Sequence, residues 1–243
     1  MTDFGYWRKR SEEYEGKYSN PERVLDYEKR HRLDAALNMA DVPASGVVVD
    51  IGVGSGELFN RLEGHTEAER VGVDFSRDII LAASGDDSTA RYVQGDGGSL
   101  PLATDSVDLL FCLGVVGHIG RDGLEDLITE IARVLRPGGQ LLFSFANSAS
   151  PFRKLRNRYV RLRNGSPSDY DEYDPRRIVE LLSDCGLSVE ISRYLTYATG
   201  LVNTPLNIEL YKLLDDYCDE CSVLSRLAMT WVVRATRDSS SNR

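Results

Sequence analysis

With 243 residues, 42% of them hydrophobic, the chain has the size of one α/β core with decorations and is short for two full domains. A formal net charge of −9 argues against duplex nucleic acid as the main partner, DNA included, because neutralising phosphates needs a broad basic surface. No apolar run has the length of a signal-peptide core or a membrane span, so a cytoplasmic protein is expected. Cys112, Cys185, Cys218 and Cys221 then read as reduced thiols. Cys218 and Cys221 form a CxxC pair without two further ligands at zinc spacing, so no metal is expected there.

The pattern predicts a single domain. Residues 1–40 read as a polar, aromatic, helical cover, and 45–146 as a core in which strand alternates with helix. Val47, Val48, Val49, Asp50 and Ile51 form a short β-branched run ending in glycines, as a buried parallel strand should. A helix starts at Glu57, a second strand is expected over 70–74, a helix around 79–83, a third strand over 91–94 and a fourth over 107–112. Leu124, Leu127, Ile128, Ile131, Val134 and Leu135 fall at steps of three and four, the mark of an amphipathic helix. Arg136, Pro137, Gly138 and Gly139 read as its stop and a tight turn before a fifth strand over 140–145. Residues 147–174 lose the sheet signal and read as an insertion over the sheet's edge. A helix over 175–185 capped by Gly186, a strand over 187–194, a helical stretch over 207–227 and a last strand over 229–236 would complete the sheet, leaving 238–243 as a disordered tail. The expected fold is a doubly wound, mostly parallel, seven-stranded α/β sheet with helical covers.

Candidate chemistry gathers where the first strand ends, at Asp50, Gly52, Gly54 and Gly56. Glycines there let the backbone turn sharply and come close to a ligand, while the next helix points free N–H groups at the same place. A dinucleotide fingerprint starting at Gly52 would need a small residue where Glu57 stands, and a P-loop would need a lysine followed by serine or threonine, which is missing. An acid opening a Gly-x-Gly-x-Gly turn suits instead a ligand with an ammonium group and no phosphate. Asp74, at the end of the second strand, can accept from both hydroxyls of a ribose or cap the helix near Ser76. Asp96, after the third strand, can accept from an exocyclic amine or serve as a turn aspartate. Three acids on one carboxyl edge outline adenosine joined to an amino acid.

These residues resemble the class I S-adenosylmethionine-dependent methyltransferases, especially the small-molecule and quinone-type branch. The segment 48–56 is similar to the family's first motif, 71–76 to its second, and Gly95, Asp96 and Gly97 followed by Leu100, Pro101 and Leu102 to its third. The stretch 113–119 and the run 135–139 match later signatures. The resemblance implies S-adenosyl-L-methionine as cofactor, released as S-adenosyl-L-homocysteine. It makes Gly52, Gly54 and Gly56 the wrap around the methionine part, Asp74 the ribose partner, Phe75 a neighbour of the adenine, and Asp96 with Gly97 the adenine contact; Ser76 and Leu113 join them as cofactor-binding residues. It also implies that the segment holding Tyr6, Trp7, Tyr14 and Tyr18 folds across the cofactor, with Tyr14 and Tyr18 as candidate contacts and core packing as the expectation for at least two of the four. Val53 departs from the family's usual cysteine or alanine. The lack of an Asn-Pro-Pro-Tyr-like loop after strand four separates the chain from the DNA and glutamine amino-methyltransferases.

Methyl transfer from such a cofactor requires the acceptor to be held in line and water excluded. If the acceptor is a hydroxyl or an acidic carbon a base helps, and His118 near the end of strand four is the candidate, with packing as its bland alternative; His31 and His65 look peripheral. Arg153, Lys154, Arg156, Arg158, Arg161 and Arg163 make a basic run without an acid, interleaved with Phe152, Leu155, Tyr159 and Leu162 at helical spacing. The 152–163 segment is compatible with an anionic acceptor, with a membrane-bound lipid, or with a solvated helix paired to acids at 169–174. A non-catalytic protein that binds the same cofactor, and an NAD-dependent oxidoreductase, are the alternative readings.

Overall fold

A computed structural model describes residues 24–86, 89–120, 122–164, 170–195 and 227–239. Its elements are α1 (Val24–Met39), β1 (Val47–Ile51), α2 (Glu57–Leu62), β2 (Glu69–Asp74), α3 (Arg77–Asp86), β3 (Arg91–Gln94) and β4 (Val107–Leu113). A 3-10 turn (Val116–His118) follows, then α4 (Gly123–Val134), β5 (Leu135–Ala146), α5 (Pro151–Asn164), α6 (Pro175–Asp184), β6 (Leu187–Leu195) and β7 (Thr230–Arg237).

The strands form one seven-stranded sheet in the order β3-β2-β1-β4-β5-β7-β6. The pairs β1–β2, β2–β3, β1–β4 and β4–β5 are parallel, and only β7 runs antiparallel, between β5 and β6. The expected doubly wound sheet is therefore present. Alternation explains its layers: in β1, β4 and β5 successive residues bury on opposite faces. Val49, Leu110, Cys112, Leu141 and Phe143 pack with Leu127, Ile128 and Ile131 of α4 and Ile178 and Leu182 of α6. Val48, Leu109, Phe111 and Leu142 pack on the other face with Leu33, Ala36 and Met39 of α1, Phe59 of α2 and Ile79 of α3. Helix α1 is also tied to the far end of the sheet by Arg234, whose Nη1 donates to the Met39 carbonyl at 2.8 Å and to Asp41 Oδ2 at 3.1 Å. A cation there suits the carbonyls at a helix C-terminus.

Two local expectations need correction. The stretch Arg136–Gly139 is not a turn before the strand but a bulge inside β5: Leu135 already pairs with Val107, and the register resumes only at Gln140 opposite Leu109. At Gly139 a Cβ would sit 2.9 Å from the Val107 carbonyl oxygen, so the bulge can close there only over a glycine. The described parts of the 147–174 insertion, through Arg153, Arg156 and Tyr170, reach the carboxyl ends of the strands rather than a lateral edge. Its two ends are stitched to β5 by Tyr173 N–H donating to the Ala146 carbonyl at 2.9 Å and Ser148 N–H to the Tyr173 carbonyl at 3.0 Å. Gly186, at φ +75°, follows α6 as expected, its N–H donating to the Ser183 carbonyl. The 207–227 helix falls almost wholly outside the described residues, as do Cys218, Cys221 and 240–243. No helix among the described residues is long and apolar enough to cross a membrane.

Candidate active site

After β3 the chain returns to the other side of β1, so the crossovers diverge between β1 and β4 and leave a crevice at their carboxyl ends. A cavity of about 880 Å³ opens there. That size is ample for a small-molecule ligand, whose clefts run from roughly 300 to 1,000 Å³.

Its floor is the loop after β1. Gly52 and Gly54 sit at φ +75° and +54°. At Gly52 a Cβ would also lie 2.3 Å from Val115 Cγ2, so the loop can pass under the β4 turn only as glycine. Its N–H donates to the Val73 carbonyl at 2.7 Å, pinning the loop to β2. Asp50, Gly52, Val53, Gly54 and Ser55 line the cavity; Gly56 does not, because it sits behind the turn, its N–H donating to the Val53 carbonyl at 3.0 Å.

Three acids meet here from three strands. Asp50 is 7% exposed, and burial, with the neighbouring Asp74 adding to it, pushes its carboxyl well above the usual range. Asp74 is also raised by burial, against the pull of the Ser76, Gly54 and Phe75 backbone N–H groups. Its Oδ1 accepts from Ser76 N–H at 2.9 Å. Asp96 organises a turn, its Oδ1 accepting from Gly98 N–H at 3.0 Å while its carbonyl accepts from Ser99 N–H. Asp74, Asp96, Phe75, Gly97 and Leu113 all line the cavity. Ser76 does not; it is buried and caps α3, accepting from Ile79 N–H at 3.4 Å. Tyr14 and Tyr18, with Tyr6 and Trp7, lie outside the described residues.

Two cover helices bring cations to the cavity wall, with Glu28 of α1 beside them. Lys29 and Arg32 come from α1, Arg153 and Arg156 from α5, and His118 and Tyr170 stand between them. Tyr170 lies against Gly117, where a Cβ would meet its ring at 2.2 Å, and meets His118 edge-on with centroids 4.8 Å apart and planes at 88°. The Arg153 guanidinium sits 5.4 Å from the Tyr170 centroid, and its Nε donates to Glu172 Oε1 at 2.5 Å. Glu172, Arg153, Tyr170 and His118 thus form a chain of contacts from the insertion to the β4 turn. Sequence reading missed Glu28, Lys29, Arg32 and Tyr170 as lining residues. Nothing local separates Lys29 and Arg32 from any solvated helix, and Tyr170 is marked only by its place in a tyrosine-rich segment.

Residues 49–143 match the methyltransferase domain family. Over 195 residues the chain is 30% identical to a demethylmenaquinone methyltransferase of Tropheryma whipplei, a match that takes in 70% of this chain and 78% of the relative. The chain belongs to the class I S-adenosylmethionine-dependent methyltransferases. A second methyltransferase relative, the malonyl-(acyl-carrier protein) O-methyltransferase 1 of Coxiella burnetii, is 40% identical over 98 residues, which are 40% of this chain but only 32% of that protein. The methyltransferase fold extends beyond these matches: a Haloferax volcanii protein solved in a complex with the Trm112 methyltransferase activator superposes with a TM-score of 0.67 at 19% identity, over 99% of this chain and 98% of that one. The cofactor of this methyltransferase is therefore S-adenosylmethionine, and the oxidoreductase alternative falls away.

Proposed function

We propose that the chain binds S-adenosylmethionine along the acidic floor and transfers its methyl group to a small acidic or anionic acceptor held by His118, Tyr170, Arg153 and Arg156. The observation that carries this reading is the cavity's lining, which brings carboxylates from three strand ends together with cations from two cover helices. The floor fits the cofactor's chemistry. A desolvated carboxylate such as Asp50 is stabilised by a cationic partner, which the α-ammonium supplies. Asp74 holds the ribose hydroxyls and Asp96 the adenine amine, while Gly52 and Gly54 bring the backbone close to the methionine part.

When bound, the cofactor supplies an electrophilic methyl on a sulfonium, so no covalent nucleophile is required of the protein. Arg153 and Arg156 orient the acceptor by charge, and α1 and α5 keep water out of the cleft. An imidazole nitrogen of His118 takes the proton from an acceptor hydroxyl or acidic carbon. The edge-on contact with Tyr170 fixes the plane of its ring.

Demethylmenaquinone, reduced to its quinol so that it carries an acidic hydroxyl, and malonyl-(acyl-carrier protein), named for the two relatives, are the first acceptors to try, beside a neutral amine control. Formation of S-adenosylhomocysteine is the readout. His118→Ala should lower kcat by roughly 10²- to 10⁴-fold with cofactor affinity unchanged. Arg156→Ala should raise KM for the acceptor by about tenfold, the loss of one charge-assisted hydrogen bond. Turnover of the neutral acceptor as fast as the acidic ones, unaffected by Arg156→Ala, would overturn the assignment of the cationic wall.

A further inference from the structure

Helix α5 turns one face toward the cavity and another, quite different, toward solvent. Its inner side carries Arg153, held by Glu172, and Asn157, whose Nδ2 donates to the same Glu172 Oε1 at 2.6 Å. On the other side Phe152, Leu155, Tyr159 and Leu162 recur at steps of three and four, which at 100° per residue places them in one stripe about 80° wide. They are 38%, 52%, 39% and 79% exposed. A solvated helix has no use for four large apolar side chains in a row, and such a stripe marks an interaction surface.

The charges beside the stripe say what covers it. Between 151 and 164 the sequence has six Lys or Arg and no acid, in a chain whose net charge is −9. Lys154, Arg158 and Arg161 are exposed along one margin of the stripe and Arg156 borders the other. The rest of the protein repels an anionic surface, so attraction is concentrated on this one helix. The stripe is a single narrow ridge edged by long, flexible cations that can extend past it. That shape suits a plane of anionic headgroups better than a protein groove, which would grip a ridge on both sides.

We propose that α5 docks on an anionic lipid bilayer, with Phe152, Leu155, Tyr159 and Leu162 entering the boundary between headgroups and acyl chains while Lys154, Arg158 and Arg161 meet lipid phosphates. Because Arg153 and Arg156 of the same helix line the cavity, docking brings the cavity within a helix's width of the membrane. The inference rests on the outward face alone and holds whichever acceptor the enzyme uses.

The test is co-sedimentation of the full chain with phosphatidylcholine vesicles and with equimolar phosphatidylcholine–phosphatidylglycerol vesicles. The chain should pellet with the anionic vesicles and bind the neutral ones at least about tenfold more weakly, with the difference shrinking as salt is raised. The double variants Leu155→Asp/Leu162→Asp and Arg158→Glu/Arg161→Glu should each lose about tenfold or more in vesicle affinity, from lost apolar insertion and lost attraction respectively. Unchanged binding of S-adenosylhomocysteine by both variants shows that the fold is intact. Absence of vesicle binding, equal binding to neutral and anionic vesicles, or variants that bind like the parent chain would overturn the proposal. So would a dimer dissociated by the leucine variant without vesicle binding, which would give the face to a second copy.

Discussion

Replacing Asp74 with alanine separates the two tasks its carboxylate combines, one local and one toward the cavity. The local task is to accept from Ser76 N–H at 2.9 Å, ahead of the first turn of α3. Stranding that N–H costs about 1–3 kcal/mol. The same substitution removes a desolvated carboxylate that raises its neighbour Asp50, which offsets much of that cost, so global stability should change little. Toward the cavity the balance is one-sided. If the carboxylate accepts from both ribose hydroxyls, alanine removes two hydrogen bonds to a charged group at about 1.5 kcal/mol or more each, hence about 3 kcal/mol, a loss of roughly 150-fold in affinity. Calorimetric titration with S-adenosylhomocysteine, paired with thermal unfolding, reads both quantities. Asp74→Asn serves as the control, since it keeps an acceptor for Ser76. An alanine variant that melts normally and binds S-adenosylhomocysteine as tightly as the parent would remove Asp74 from the cofactor site and refute the reading of the floor.

Three further outcomes are expected. Gly52→Ala should lose cofactor binding and destabilise the chain by about 2–3 kcal/mol, since a side chain at φ +75° is strained and its Cβ would lie 2.3 Å from Val115 Cγ2. An unchanged melting curve would contradict the contact. Asp50 is held above the ordinary carboxylate range, so the folded chain binds that proton more tightly than the unfolded one; its ionisation costs stability at neutral pH, and the cofactor-free protein should gain that contribution back as pH falls through the raised pKa. Binding a cationic ligand favours the ionised form, so S-adenosylmethionine affinity should decline as pH falls through the raised pKa, with protons released on binding; affinity that stays level as the pH is lowered, with no proton release, would refute the coupling. Arg153→Ala leaves Glu172 with Asn157 as donor but without its guanidinium, and should lower stability by about 2 kcal/mol in denaturant unfolding, while Arg153→Lys should recover part of it.

The parts of this enzyme legible in its sequence are those whose signal is local. Runs such as Val47–Ile51 announce strands buried on both faces, and Leu124, Leu127, Ile128 and Ile131 announce a helix with one apolar side. The Asp50 to Gly56 turn carries its meaning in glycine spacing, because only certain backbones can make that bend. Asp74 and Asp96 stood out because acids at the carboxyl ends of successive parallel strands gather beside the crevice, while their local bonds to Ser76 and Gly98 became visible only in the structure. What tertiary structure decided is everything that depends on elements far apart in the chain. Gly56 and Ser76 belong to the right motifs but turn into the protein, which only the packing of α2 and α3 reveals. The Arg136–Gly139 bulge follows from register with β4, a property of the partner strand. The cationic wall joins Lys29 and Arg32 to Arg153 and Arg156 across more than a hundred residues. A charged helix looks the same in sequence whether its cations face water or a cleft. Hydrophobic periodicity records which side of a helix is buried but not what the other side meets, so the assembly of that wall, and the outward turn of the α5 stripe, became visible only when the sheet had set the helices in place.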